Sequence, residues 1–150
     1  MKLTPQEVKI QERLKPGVVT LDGFLGKDKR HYNEIIAEDL EVLKGLAKTK
    51  EEIADRLDYL TKKALPYDED GVVIDEIYDL QYVTARGRII SPFMDRTFWP
   101  KGIITLKNLQ NGVEIRWTPL SIHLIRRYGF FQGKGATFRT EPSDLIKAIF

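Results

Sequence analysis

Apolar residues recur at helical spacing through the first part of the chain and switch to alternation after about residue 70. Thr4-Pro5-Gln6-Glu7 has the T-x-x-E form of a capping box with proline at the first helical position. It predicts a short helix to about Leu14, ended by Pro16-Gly17. Val18 to Leu21 is a β-branched run that predicts a short strand. Tyr32, Ile35, Ile36, Leu40, Leu43 and Leu46 then follow helical spacing, with Asp28 as the expected cap. Thr49 and Glu52 form a second capping box, opening a helix through Ile53, Leu57 and Leu60 that stops near Pro66.

From Val72 to Thr84 the pattern alternates. Val72, Ile74, Tyr78, Leu80 and Tyr82 fall on one face and Asp75, Asp79 and Gln81 on the other, as in a half-buried strand. Arg86-Gly87-Arg88 predicts a turn and Ile89-Ile90 a return. Ile103 to Lys107 and Val113 to Trp117 flank Asn111-Gly112, a strong hairpin signal because type I′ turns need positive φ at both central positions. Thr118-Pro119 starts a helix with Gly129 as its C-terminal stop. Ser143 is the expected cap of a last helix, Asp144 to Phe150. The elements predict a single α+β domain over residues 1–150. A small antiparallel sheet carries helices on one face, the first 65 residues being mostly helical.

Composition narrows the class. The chain has 150 residues, 42% hydrophobic and 31% charged, the profile of a globular domain. It has no cysteine, which excludes disulfides, thiol catalysis and thiolate-held metals. A net charge of +2 does not by itself imply nucleic-acid binding. The N-terminus lacks the apolar core of a secretory signal, and no apolar run approaches the ~20 residues of a membrane span. The expectation is a soluble cytoplasmic protein.

The candidate chemistry lies in residues 115 to 140, which hold no acidic residue. Arg126 and Arg127 share a helical stripe with His123, and Lys134 and Arg139 follow in and beyond the loop Gly129 to Gly135. Guanidinium and ammonium groups are donors only, and glycine lets backbone N–H groups approach closely, so the segment suits an anion. The expected ligand-binding residues are His123, Arg126, Arg127, Lys134 and Arg139. The plainer reading, a solvated basic face with arginines at a helix C-terminus, competes with this.

Other patterns are weaker. GFFQGKG has too short a spacer for a nucleotide-binding loop and lacks its Ser or Thr. The strand-loop-helix order expected over Val18 to His31 would aim free N–H groups at an anion, but Asp28 already supplies a carboxylate there. No ligand spacing for a metal occurs around His31 and His123, and no G-x-S-x-G elbow argues for a serine nucleophile. Neither metal, cofactor nor catalytic residue is assigned, and an enzyme is the less favoured reading. Lys48 to Leu60 starts like a helix-turn-helix but lacks the second half. The acidic block of Asp68 to Asp79 could neutralise the basic block across the sheet or between subunits. The loop Pro92 to Pro100 holds Phe93, Met94, Phe98 and Trp99, either a core plug or a contact patch.

KPGVVTLDGFLG (Lys15 to Gly26) and IHLIRRYGFFQGKGATFRTEP (Ile122 to Pro142) resemble segments of a family of small, uncharacterised bacterial cytosolic proteins. The resemblance implies a bacterial cytoplasmic origin and supplies no activity. The leading expectation is a non-enzymatic binding domain for a small anionic or phosphorylated ligand. A protein-interaction or homo-oligomeric module is the alternative. Nucleic-acid binding through the basic helix 119–128 is a further, disfavoured one.

Overall fold

The computed structural model describes residues 2–150. Helices α1 (Pro5–Arg13), α2 (Tyr32–Gly45) and α3 (Lys50–Ala64) come first. A 3-10 segment (Leu65–Asp70) leads to strands β1 (Val72–Ile74), β2 (Tyr78–Val83), β3 (Arg88–Ile90), β4 (Phe98–Pro100), β5 (Ile103–Asn108) and β6 (Glu114–Trp117). Helices α4 (Pro119–Tyr128) and α5 (Pro142–Ile149) close the chain. The main sheet is antiparallel in the order β1-β2-β5-β6, and β3-β4 form a separate ribbon. Helices pack on one face of the sheet, giving the α+β class that the residue pattern predicts. Among the described residues no helix is long and apolar enough to cross a membrane.

Both capping boxes form: Thr4 with Glu7, and Thr49 with Glu52. The alternation of β2 places Tyr78, Leu80 and Tyr82 inward, opposite Ile104 and Leu106 of β5, with Ile115 and Trp117 of β6 beyond them. They meet Leu57 and Leu60 of α3 and Leu145 of α5 in the larger core. A second core joins Ile10 and Leu14 of the α1 end, Phe24, Ile35, Phe93 and Phe130. Helix α4 lies between the two. Ile122 and Ile125 enter the first core, Leu120 and Leu124 the second. A helix apolar on opposite sides is an interior helix, and this governs the fate of its polar residues.

Several local expectations change. Val18 to Leu21 forms turns, not a strand, and Leu21 is the most exposed large apolar residue among the described residues. Residues 72 to 84 are a hairpin, not one strand: Asp75 and Glu76 take positive φ (54° and 60°) and reverse the chain. Ile89-Ile90 pair with β4 rather than with the main sheet. The β5-β6 hairpin exists, but only Gly112 of the Asn111-Gly112 pair has positive φ. The Asn108 side chain accepts N–H bonds from Gln110 and Asn111, so the turn is a longer one than type I′. Helix α2 starts at Tyr32, capped by the His31 ring, because Asp28 is engaged by Arg30 instead. Helix α5 begins after Glu141, ahead of the expected Ser143 cap.

The glycine loops at 23 to 26 and 129 to 135 meet backbone to backbone. Gly133 N–H donates to the Phe24 carbonyl at 2.8 Å, and Lys27 N–H to the Lys134 carbonyl at 2.9 Å. A Cβ built on Gly133 would stand 2.3 Å from the Leu25 carbonyl oxygen. Backbone cannot swing away as a side chain can. Gly133→Ala therefore lowers unfolding free energy by about 2–3 kcal/mol, at the upper end of overpacking costs. Gly45→Ala, with open space around it and a helical position, is neutral or stabilising by up to ~1 kcal/mol. Urea denaturation of the two variants side by side checks this contrast.

Candidate functional site

The five residues expected to bind a ligand do not form one cluster. Arg139 is buried, its side chain 5% exposed. Its guanidinium holds the buried Asp39 carboxylate through both terminal nitrogens, reaches Glu141 at 2.9 Å and donates to the Gln132 carbonyl at 3.0 Å. Arg126 pairs with Asp55 on the surface of α3. Lys134 is exposed, but its backbone N–H already donates to Asp28. The acidic block is not what neutralises these cations: their partners are Asp39, Asp55 and Glu141.

Between the converging glycine loops, the chain supplies its own anion. Asp28 accepts from Arg30 at 2.6 and 2.9 Å and from the Lys134 N–H at 3.2 Å. The Arg30 side chain, followed by the Lys134 and Arg30 backbone N–H groups, outweighs burial and holds the Asp28 carboxyl far below the usual carboxylate range.

His123 departs furthest from expectation. A single packed stripe on α4 would leave it beside Arg126 and Arg127 in solvent. The ribbon β3-β4 covers that side, and the imidazole is buried, stacked on Trp99 with ring centroids 4.6 Å apart. Its Nε2 meets Asp95 Oδ2 at 2.7 Å. Asp95 is the hub of a network. It also accepts from Tyr128 Oη at 2.6 Å, Ser91 Oγ at 3.1 Å, Thr97 Oγ1 at 2.6 Å and Thr97 N–H at 3.1 Å. Trp99 Nε1 donates to Thr97 Oγ1 at 2.8 Å and extends it. Burial alone would raise the Asp95 pKa, but the hydrogen bonds from Thr97, Tyr128 and His123 prevail and hold it well below the ordinary range. Burial and then the adjacent Asp95 charge push the Tyr128 phenol up. An ionised Asp95 makes His123 Nε2 the proton-bearing nitrogen. The network staples the 91–99 loop to α4. Phe93 and Trp99 of that loop serve the core, while Met94 and Phe98 stay exposed.

Of the expected set, Lys134 Nζ and Arg127 are exposed without a carboxylate partner among the described residues, and Arg127 is the one of the two beside a cleft. It lines a cleft of about 550 Å³ with Gln6, Tyr32, Asn33, Asp95 and Tyr128. The C-terminal carbonyls of α4 do not hold it, because Lys50 Nζ takes those of Arg126 and Arg127 at 2.7 and 3.2 Å. Its guanidinium carbon lies 5.7 Å from the Tyr128 ring centroid. Sequence reasoning missed Asp95, Tyr128, Gln6 and Asn33. The one local signal was Asp95-x-Thr97, an Asx-turn pattern; the rest depends on long-range packing. No family model, curated protein or solved structure matches the chain, so the functional reading rests on this geometry.

Proposed function

We propose that the chain is a non-enzymatic binding domain for a small anionic or phosphorylated ligand, held in the cleft beside Arg127. The observation that supports this reading is the unpaired guanidinium of Arg127 on the wall of that cleft. A guanidinium near an aromatic ring keeps its N–H edge for bidentate contact with phosphate or carboxylate. Gln6 and Asn33 line the same cleft as neutral polar residues, the Asn33 amide nitrogen already donating to Glu7. Asp95, though anionic, is shielded by its five donors and buried to 4% exposure, so it forms a floor rather than a competing charge at the mouth. Arg126 and Arg139 are directed elsewhere by their ion pairs, and Lys134 does not line this cleft.

Thermal shift followed by calorimetry with phosphate, nucleotides and dicarboxylates tests the reading. Arg127→Ala weakens the best anion about 10-fold or more, the scale of one charge-assisted hydrogen bond. Arg126→Ala leaves it unchanged. Absence of any bound anion, or a bound one indifferent to Arg127→Ala, overturns it.

A further inference from the structure

A second cavity, apart from the Arg127 cleft, has a volume of about 210 Å³ and lies where the 20–24 turn, the β3-β4 ribbon and the 132–138 loop close over the end of β5. Its walls are chiefly apolar: Phe24, Ile89, Ile103, Leu120 and Phe138. Two of its hydroxyls have partners in the protein. Thr20 Oγ1 accepts from the Gly23 N–H at 2.9 Å, and Thr118 Oγ1 caps α4. The exposed Thr137 hydroxyl has none among the described residues, and neither has the side chain of Gln132. The residue is 4% exposed and lines this cavity, yet its side-chain amide has no hydrogen-bond partner among the described residues.

An amide carries two N–H donors and an acceptor oxygen, and those of Gln132 are left free to meet a ligand. The backbone of Gln132 is also held in the left-handed region, at φ 71°, where a side chain other than glycine, asparagine or aspartate is uncommon. The chain fixes it there on both sides. The Gln132 carbonyl accepts from Arg139, and the next N–H, of Gly133, donates to Phe24. A strained residue, over-determined by its surroundings and presenting an unpaired amide to an apolar cavity, fits a ligand contact.

We propose that this cavity binds a flat, single-ring molecule with a cis-amide edge, such as a lactam, pyridone or pyrimidinone, paired to the Gln132 amide. Size supports one ring, since an apolar cavity of roughly 150 Å³ accommodates benzene. Chemistry supports the cis-amide, because its adjacent N–H and C=O match the C=O and N–H of a primary amide in two parallel hydrogen bonds. The ring body then meets the apolar walls.

The test uses 2-pyridone, N-methyl-2-pyridone and toluene, followed by NMR of the full chain with its glutamine side-chain amides observed. The 2-pyridone should shift the Gln132 NH2 pair and bind about 10-fold more tightly than its N-methyl analogue, whose donor is blocked. Gln132→Leu should erase that preference while toluene still binds. Ile103→Trp, at a partly exposed wall position, should fill the cavity and block both rings even if Gln132→Leu proves unstable. Arg127→Ala should change nothing, which separates this site from the anion cleft. Failure of 2-pyridone to bind at millimolar concentration, equal affinity for the N-methyl analogue, or an unmoved Gln132 amide would each overturn the proposal.

Discussion

Asp95→Ala lowers the unfolding free energy by about 3–5 kcal/mol, the scale of removing one partner from a buried charge network. The deletion strands several buried donors at once: His123 Nε2, Tyr128 Oη, Ser91 Oγ and the Thr97 hydroxyl. Each gives up the carboxylate, and the one alternative contact among the described residues is the long one between His123 Nε2 and Thr97 Oγ1 at 3.3 Å. The lost network also frees the 91–99 loop, whose Phe93 stacks on Tyr128 at 4.1 Å between ring centroids and helps fill the second core. Denaturant unfolding measures the loss. Asp95→Asn retains an acceptor oxygen and a similar shape, so it costs less than alanine.

The same residue shapes the acid limb of stability. Its folded pKa lies below the unfolded value of about 3.9. Its contribution is therefore complete above that value and drains away as pH falls below about 4. Tyr128 behaves oppositely: its raised pKa contributes stability below about 10 that is lost as pH climbs past it. Asp95→Asn should flatten the loss of melting temperature between neutral pH and strongly acidic pH. It does not abolish the loss, since Asp28 beside Arg30 titrates in the same direction.

Asp39→Ala comes next, with an expected loss of about 3 kcal/mol, at the lower end for a broken buried pair. It leaves the Arg139 guanidinium inside the protein with only the half-exposed Glu141 as a charge partner. The lower end applies because Glu141 and the Gln132 carbonyl still accept from it. A double change, Asp39→Leu with Arg139→Met, removes both charges and should recover much of the loss, because a buried ion pair replaced by apolar groups is often neutral. Equilibrium unfolding of the two variants distinguishes a stranded charge from lost packing.

The pattern of apolar positions was enough for the α+β class, because capping boxes and a period-two strand are local signals that tertiary packing did not reverse. Thr4, Thr49 and Thr118 each cap a helix, and Tyr78, Leu80 and Tyr82 alternate as read. The Val18 to Leu21 run failed because β-branching without a pairing partner is no strand. The hairpin at Asp75-Glu76 was hidden because positive φ at two acidic residues is uncommon. The basic segment was legible as cations but not as a site. Which carboxylates meet them depends on contacts about 70 to 100 residues apart in sequence, as for Arg126 with Asp55 and Arg139 with Asp39. His123 was misplaced because a helical wheel assumes one packed face, and α4 is packed on opposite sides and capped by a ribbon.

Arginine Nε–H resonances of the isotopically labelled chain, followed at neutral pH through a phosphate titration, test the division of labour among the cations most directly. Arg139 should exchange slowly with solvent and stay still throughout, and Arg126 should move little. Arg127 should exchange fast and shift in a saturable way. An Arg139 signal that exchanges freely and follows the added anion, with Arg127 unmoved, would contradict it.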